Sequence, residues 1–443
     1  MESKLVTARA SIVWILAIVL AFAAVGWIER ESGRALIAKP APAPAPAQPA
    51  PRALQFSADL PAEPAPRKLT PEETQWARTA WAYFEHNVDA RSGLAHSVAG
   101  FPSATLWDTG SYLLALIAAH DLQLLDKRGF DLRVAKALAA LDQLPLYGGQ
   151  LPNKSYDLAT LQMTDYRNQP SASGIGWSAI DLGRLLVPLH AVTWRHPVHT
   201  PAVRRLLARW DFAPLVREGQ LFGMHATGQG APQAVQEGRI GYEQYAARAY
   251  GLLGLDTSAA ADWRTHLRQV DVEGVAVCAD GRQDAPVFVT SEPYVLEGLE
   301  LGWTRPGREC AWRAYRAQEA RFRATRIPTA VSEDHVDREP YFVYGTVWSG
   351  GKPWATVTDQ GQDAAPLRSL SVKAAFGWHA LLRTDYTASL VREVAALNDP
   401  ARGWFAGRYE EGAQTNKAMS ANTNAVVLES LAYIANGRLL RLR

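Results

Sequence analysis

Cysteine is scarce in this chain: the 443 residues include only Cys278 and Cys310. The two do not form a CxxC pair, so the zinc fingers and ribbons that rely on such pairs are excluded. In an oxidising compartment the two thiols could pair, and elsewhere they would stay free and buried. The sequence alone leaves both states open.

The chain also lacks any block of one charge sign. Lysine and arginine are scattered and the formal net charge is +2, which does not indicate a nucleic-acid partner. Nucleophile-elbow, phosphate-loop and HExxH motifs are absent, so the chemistries that depend on them are not indicated. We therefore expect neither a cofactor nor a metal.

One long uncharged run, residues 10–28, follows a short tail that contains Lys4 and Arg9. Its nineteen residues suit one transmembrane helix. A cleaved signal peptide is the alternative, with AFA at 21–23 as the cleavage site. We favour the anchor because the run continues past that site to Trp27.

A Pro/Ala-rich segment separates this run from the rest of the chain. Such a segment is stiff and extended at roughly 3 Å per residue, so residues 40–66 could span on the order of 80 Å. We expect a tethered domain beyond the inner membrane, in the periplasm. The predicted parts are a tail (1–9), an anchor (10–28), a linker (29–69) and one domain (70–443).

Helical periodicity extends over nearly the whole domain, with little strict alternation. It begins at a capping box, with Thr70 as N-cap, Pro71 at the first helical position and Glu73 three residues after the cap. The predicted helices are 71–87, 107–125, 130–144, 175–190, 200–212, 241–254, 258–269, 292–302, 308–325, 367–383, 386–397 and 421–436.

These helices come in pairs, and long loops recur at one place in each pair. The loops are 91–98, 147–156, 217–226, 272–280, 338–345 and 401–411. Each leads into a helix with Gly, Ala and Ser among its apolar residues, as crowded inner positions require. We expect an all-α (α/α)6 toroid of six hairpins, whose loops and inner-helix N-termini surround one mouth. An open α-solenoid is the less favoured alternative.

Acids and aromatic residues concentrate at this predicted mouth. Glycoside cleavage needs one carboxylic acid and a second carboxylate, and aromatic faces stack on sugar rings. The catalytic candidates are Glu243, Asp334, Glu333 and Glu237. The candidates for substrate binding are Asp108, Trp107, Trp177, Tyr242, Glu292, Tyr294, Tyr344, Trp348, Trp404 and Glu410.

Each acid also has a structural interpretation. Asp108 and Glu292 lie in first helical turns, where a carboxylate stabilises free N–H groups. Glu243 is our first choice for a raised pKa because it lies on an inner helix among apolar residues. Its alternative is an ion pair with Arg239 or Arg248.

The segment SEDHVD, residues 332–337, has three interpretations. It is first a mouth loop and second the source of a catalytic base, from Glu333 or Asp334. A metal cluster that includes His335 is the least favoured interpretation.

Eight segments of the domain carry a resemblance when they are taken as a set. They are TLWDTGSYLLAL, GIGWSAIDLGRLL, GYEQYAARAYG, TSEPYVLEGLELG, YFVYGTVWSGGKPW, SVKAAFGWHALL, RGWFAGRYEEG and NTNAVVLESLAY. Over about residues 70–437, the chain resembles a bacterial family of exported, glucoamylase-like proteins of unknown function. The resemblance implies an architecture similar to (α/α)6 enzymes that act on β-1,2-glucans, and a link to exopolysaccharide synthesis and export. By position it implies Glu243 or Glu237 as acid and Glu333 or Asp334 as base.

Three functions follow as hypotheses. The leading one is a membrane-tethered glycoside hydrolase that acts on a bacterial polysaccharide, either an exopolysaccharide or a β-glucan. The second is a non-catalytic glycan-binding or scaffold component of an export complex. A polysaccharide lyase is the least favoured, because no convincing His–Tyr–Asn grouping is present.

Overall fold

The computed structural model describes residues 54–226, 231–237, 239–282 and 288–440. The predicted anchor at 10–28 lies outside these residues. Within them, no helix has the length and apolar character that a membrane crossing requires.

The described residues form twelve α-helices, which alternate between an outer and an inner ring. The outer helices are α1 (Pro71–His86), α3 (Lys127–Gln143), α5 (Thr200–Ala208), α7 (Ser258–Ala261), α9 (Arg305–Thr325) and α11 (Asp385–Val394). The inner helices are α2 (Leu106–Asp121), α4 (Ala179–Arg195), α6 (Tyr242–Gly251), α8 (Glu292–Leu296), α10 (Val372–Leu382) and α12 (Ala421–Asn436). A π-helical turn, Glu297–Leu301, continues α8.

The inner ring is closed. Each inner helix packs against the next one along the chain, and α12 packs against α2. The predicted (α/α)6 toroid is therefore confirmed, and the open solenoid is excluded.

Glycine allows the inner helices to approach closely. A Cβ atom built on Gly183 of α4 would lie 2.5 Å from the Cβ of Ala246 on α6. A Cβ on Gly377 of α10 would lie 2.3 Å from a methyl group of Val295 on α8. The small residues at these positions are thus explained by the close contact between neighbouring inner helices.

Short antiparallel strands occupy the loops. Two-stranded pairs are β1 (Ser103–Thr105) with β4 (Ser155–Asp157), β2 (Leu146–Tyr147) with β3 (Leu151–Pro152), β8 (Leu267–Val272) with β9 (Val275–Asp280), and β17 (Asn398–Asp399) with β18 (Gly403–Trp404). Three-stranded sheets are β5 (Val216–Arg217), β6 (Gln220–His225) and β7 (Gln233–Gln236); β10 (Phe288–Val289), β13 (Trp348–Ser349) and β14 (Lys352–Pro353); β11 (Glu333–His335), β12 (Phe342–Gly345) and β15 (Thr356–Val357); and β16 (Ser369–Ser371), β19 (Gly407–Tyr409) and β20 (Thr415–Asn416).

The prediction of one helix over 258–269 is wrong. Helix α7 ends at Ala261, and the chain then forms the β8–β9 hairpin around Glu273 and Gly274. Both turn residues have positive φ, the geometry of a tight hairpin turn. Buried Val270, Val272 and Val277 favour strands, since β-branched side chains pack well on a pleated surface.

The two cysteines are paired. Cys278 of β9 and Cys310 of α9 form a disulfide with an S–S distance of 2.02 Å. The bond joins the β8–β9 hairpin to the outer helix that follows it.

The last part of the predicted linker packs against the toroid. Ser57 donates to Glu309 from its backbone N–H (2.8 Å) and its hydroxyl (2.7 Å). The backbone N–H of Arg67 donates to the carbonyl of Ile434 (2.8 Å), in the last turn of α12. The toroid and residues 54–69 thus belong to one compact unit.

Candidate active site

The N-terminal ends of the inner helices meet at Glu292, the first residue of α8. Trp107 of α2 donates its indole N–H to Oε1 (3.0 Å), and Asn422 of α12 donates its amide to the same oxygen (2.7 Å). Lys373 of α10 forms an ion pair with Oε2. Four inner helices therefore converge on one carboxylate, and we call this end of the ring the mouth.

Asp334 of β11 lies beside this group. Only 3% of the residue is exposed, and the Nζ of Lys373 lies 3.8 Å from Oδ1. Neither carboxylate oxygen has a hydrogen-bond partner among the described residues. Burial raises the pKa of Asp334 to about 7, although Lys373 and the nearby hydroxyl of Ser371, which lies outside hydrogen-bonding geometry, oppose the shift. Asp334 is thus a buried carboxyl group poised near neutral pH.

Glu333, the preceding residue, is better satisfied. Its Oε2 accepts the hydroxyls of Thr290 (2.7 Å) and Ser332 (3.1 Å). Burial raises its pKa, and Lys373 opposes this. Because adjacent residues of a strand point to opposite faces, Glu333 and Asp334 cannot play the same role.

Glu237, after β7, caps helix α4. Its Oε2 accepts the hydroxyl of Ser178 (3.0 Å) and the backbone N–H groups of Ala179 (2.5 Å) and Ile180 (3.2 Å). Burial raises its pKa, and the nearby cation Lys154 opposes the shift. The α4 end of the mouth therefore also carries a carboxylate.

Asp181, in the first turn of α4, belongs to the same group, and the sequence analysis missed it. Burial raises its pKa to about 7, and the charge of Glu237 adds to the effect. A signal was present, since Ser178 and Asp181 repeat the spacing of Thr105 and Asp108.

Asp108 is a structural carboxylate at the start of α2. Its Oδ2 accepts the hydroxyls of Ser97 (2.6 Å) and Thr105 (2.7 Å), and its backbone N–H donates to Thr105, the N-cap residue (3.2 Å). Asp108 lies in the first turn as expected, but Thr105 is the N-cap, and the carboxylate of Asp108 accepts side-chain hydroxyls instead of the free N–H groups of the helix.

Aromatic rings line one side of the mouth. The rings of Trp107 and Tyr242 lie 5.8 Å apart, and Tyr344 stacks on Phe288 at 4.2 Å. The guanidinium of Arg239 lies 5.3–5.9 Å from three of these rings, those of Tyr242, Phe288 and Tyr344. Trp107, Tyr344 and Trp348 are partly exposed and so available for stacking. The predicted binding residue Tyr242 is buried, so its ring has no free face for a sugar.

Other predicted binding residues lie elsewhere, which corrects the expectation that they contact a sugar. The rings of Trp177, Tyr294 and Trp404 are fully buried. Tyr294 stacks on Trp263, and Trp404 packs edge-on against Phe376. An enclosed ring has no free face for a ligand.

Glu410, another predicted binding residue, forms an ion pair with Arg321. Its two oxygens accept both terminal nitrogens of Arg321, at 2.6 and 2.8 Å. Such a bidentate pair fixes a loop in place and leaves little capacity for a substrate hydroxyl.

Glu243, the first-choice proton donor of the sequence analysis, is ion-paired. It is completely buried; its Oε2 accepts from Arg282 (2.7 Å) and its Oε1 from Gln236 (2.9 Å). Burial raises its pKa, and the bond from Arg282 opposes this. An ion pair was the foreseen alternative, but the partner is Arg282 rather than Arg239 or Arg248. The contacts argue against Glu243 as the proton donor.

Lys373 and Arg239 are further residues that the sequence analysis did not select for the site. Lys373 is the one charged residue in the α10 sequence VKAAFGWHALL apart from a histidine, which was an available signal. Within the described parts of the chain, no group of three or more His, Cys, Asp and Glu residues could hold a metal ion.

The comparison with known families decides the classification. A family described as "Protein of unknown function (DUF3131)" matches residues 75–437. The chain belongs to the DUF3131 family. No curated protein is similar to it in sequence.

Solved structures share the fold of this DUF3131 protein. A glucoamylase-like protein from Bacteroides caccae ATCC 43185 is 13% identical, with a TM-score of 0.61 over 83% of this chain and 93% of its own. An endo-β-1,2-glucanase from Chitinophaga pinensis, in complex with sophorotriose and glucose, is 10% identical, with a TM-score of 0.59 over 84% and 94%. A variant of the endo-β-1,2-glucanase from Talaromyces funiculosus, in complex with β-1,2-glucan, is 12% identical, with a TM-score of 0.54 over 83% and 84%. The resemblance expected from the sequence is therefore confirmed at the level of fold and family.

The mouth of the DUF3131 protein has the groups that acid–base catalysis needs. Two carboxyl groups with pKa values near 7, those of Asp181 and Asp334, lie on separate elements. Groups whose pKa lies near the working pH exchange protons most effectively. Aromatic rings border them, as they do in sites for sugars.

Proposed function

We propose that this protein is an exported, membrane-tethered glycoside hydrolase that cleaves a bacterial polysaccharide by acid–base catalysis with two carboxyl groups. The observation that carries the proposal is Asp334, a buried carboxyl at the mouth whose oxygens have no hydrogen-bond partner among the described residues. A buried polar atom without a partner destabilises the fold. Its presence at the mouth therefore supports a functional role for Asp334.

Asp334 acts as the base in this proposal. The Lys373 ammonium favours its ionised form, which predominates above about pH 7. The carboxylate takes a proton from a water molecule that attacks the anomeric carbon, while an acid protonates the departing glycosidic oxygen. Lys373 stays in place because Glu292 also holds it.

A glucan is the substrate class that we favour. Structures with this fold bind β-1,2-glucan and its oligosaccharides, which supports a β-glucan or a related exopolysaccharide. The partly exposed rings of Trp107, Tyr344 and Trp348 supply apolar faces for pyranose rings.

Export and tethering rest on other features. The uncharged run 10–28 and the Pro/Ala-rich segment after it support an anchor and a spacer. The disulfide between Cys278 and Cys310 supports an oxidising compartment such as the periplasm. The synthesis and export proteins for the polysaccharide are the partners that such a location suggests.

The test measures new reducing ends from linear β-1,2-glucan, other β-glucans and the host's exopolysaccharide, with the full-length chain in detergent. We expect turnover by the wild type and a loss of about 10²–10⁴-fold in Asp334→Asn, the usual range for a group that transfers a proton. The matched control, Asp363→Asn, changes an exposed aspartate and should keep full turnover.

Glu243→Gln separates this assignment from the one based on sequence. A structural ion pair predicts retained turnover with lowered stability, whereas a proton donor predicts lost turnover. If no polysaccharide is cleaved but the wild type and Asp334→Asn bind it equally and saturably, the protein is a glycan-binding component and the proposed hydrolase is wrong.

A further inference from the structure

Two neighbouring inner helices begin in the same way. In α2, the N-cap Thr105 accepts the N–H of Asp108 at 3.2 Å, and in α4 the N-cap Ser178 accepts the N–H of Asp181 at 3.2 Å. Both acids thus occupy the third position of an inner helix, at the end of the ring that forms the mouth.

The two carboxyl groups nevertheless have different surroundings. The hydroxyls of Thr105 and Ser97 donate to Asp108. In α4, by contrast, the Ser178 hydroxyl donates to Glu237. Within the described ranges, no hydrogen-bond donor contacts the carboxyl group of Asp181, which is only partly buried. The Ser178 hydroxyl, which corresponds to the Thr105 hydroxyl of α2, therefore donates to Glu237 and not to Asp181.

Glu237 is the member of this pair that accepts more hydrogen bonds. Three donors, the Ser178 hydroxyl and two N–H groups of the first turn of α4, converge on one oxygen. Hydrogen bonds to the charged form and the positive end of the helix dipole both favour a carboxylate.

Asp181 is then the member that keeps a proton. Two like charges held close together are unfavourable, so the pKa values of the two carboxyl groups rise. Burial, Glu237 and Asp108 raise the pKa of Asp181, whereas Lys154 and Arg239 lower it. Together these effects raise the pKa of Asp181 to about 7. The hydroxyls of Tyr166 and Tyr344 also lie within electrostatic reach of Asp181.

We propose that Asp181 is the catalytic acid of this mouth and that Glu237 is a positioning residue that keeps Asp181 protonated. The inference rests on the proposed function and names the acid that it requires. The Asp181 proton moves to the glycosidic oxygen as the bond from that oxygen to the anomeric carbon breaks, and the bond electrons stay on the oxygen. Water supplies the new bond to the anomeric carbon and gives its proton to Asp334. The products are two shorter glycans, and one water molecule is consumed.

The test compares two substrates that differ in their need for an acid. Linear β-1,2-glucan has a poor leaving group, whereas 2,4-dinitrophenyl β-sophoroside releases a phenolate that needs no proton. We expect Asp181→Asn to lose about 10²–10⁴-fold in kcat on the glucan, but less than about tenfold on the aryl sophoroside. Asp334→Asn should lose activity on both, and Asp363→Asn on neither.

Glu237→Gln gives a second readout. Removal of the neighbouring charge should lower the pKa of Asp181, so the alkaline limb of the kcat/KM profile should move to lower pH. A merely structural role for Glu237 would reduce activity without moving this limb. Infrared titration should show two side-chain carboxyl groups, those of Asp181 and Asp334, that titrate near pH 7 in the wild type, and one such group in Asp181→Asn.

The inference is overturned if Asp181→Asn keeps its turnover of glucan, if it loses both substrates equally, or if it leaves the carboxyl titration near pH 7 unchanged. In those cases an active wild type still supports the hydrolase. A wild type that cleaves neither substrate nor any other polysaccharide overturns the proposed function, and the role of Asp181 falls with it.

Discussion

At the scale of single residues, the carboxylates of the mouth fall into two kinds. Those of Glu292 and Glu243 are held by a cation and an amide, so protonation would break the contacts that join their helices. The oxygens of Asp334 have no hydrogen-bond partner within 3.5 Å among the described residues, and the hydrogen bond described for Asp181 is made by its backbone N–H. The protons of these two carboxyl groups can therefore leave or return without breaking such a bond. The carboxyl groups of Asp334 and Asp181 are thus the ones suited to proton transfer.

The effect of buried Asp334 on the free energy of unfolding depends on pH. The folded protein holds the Asp334 proton up to about pH 7, whereas the unfolded chain releases it near the ordinary value of 3.8. Between these values the folded state binds more protons, so the contribution to stability is present below about pH 4 and is lost as pH rises through 7. We predict that Asp334→Asn unfolds with a free energy about 2–4 kcal/mol higher than the wild type at pH 8, with no gain at pH 4.

Urea denaturation at both pH values measures this difference. Asp363→Asn, at an exposed site, should match the wild type throughout. A variant Asp334→Asn that is less stable than the wild type at pH 8 would show that the carboxylate has stabilising partners and would contradict the proposed base.

At the scale of elements, the sequence predicted the helices well where apolar periodicity was long. The inner helices carry small and apolar residues over most of their length, and their order in the ring followed from the repeat. The β8–β9 hairpin was missed because the predicted helix extended to residue 269, into β8, and residues 272–280, which include β9, were predicted as a loop. The positive φ of Glu273 and Gly274 at the turn belongs to the hairpin.

Close packing between α4 and α6 should be sensitive to one methyl group. We predict that Gly183→Ala lowers the free energy of unfolding by about 1–3 kcal/mol, because the new Cβ would lie 2.5 Å from the Cβ and 2.8 Å from the Cα of Ala246. Chemical denaturation measures the change. Gly251→Ala is the matched control, since the nearest atom to its Cβ would be 3.8 Å away. Equal stability of the two variants would contradict the steric reason for glycine in the inner ring.

At the scale of the whole molecule, the closed ring was predictable but the pairing of charges was not. The repeat placed acids at one mouth, yet whether an acid is open or paired depends on residues far away in the chain. Glu292 meets Lys373 and Asn422, and Glu243 meets Arg282. The same limit applies to residues 54–69, whose composition predicts a free spacer although they contact helices α1, α9 and α12, from three of the six hairpins. Their contacts are with the ends of the helices opposite to the mouth, such as Ile434 in the last turn of α12 and Glu309 in the first turns of α9.

The packed segment 54–69 should stabilise the toroid without affecting the mouth. A chain that starts at residue 70 loses the two Ser57 hydrogen bonds to the fully buried Glu309 and leaves that carboxylate with Arg313. It also loses the ion pair of Arg67 with Glu73. Hydrogen bonds to charged groups contribute about 1.5–3 kcal/mol each, partly regained from water. We predict that a chain of residues 70–443 unfolds with a free energy about 2–4 kcal/mol lower than one of residues 54–443.

Thermal and urea denaturation of the two chains measure this difference, and reducing-end assays compare their turnover at a temperature where both are folded. Equal turnover with unequal stability is expected, because the segment contacts the helix ends opposite to the mouth, where the acids lie. Equal stability would show that the segment is a passive spacer, as its composition suggested. A loss of turnover in the folded shorter chain would instead show that the two ends of the ring are coupled through the inner helices.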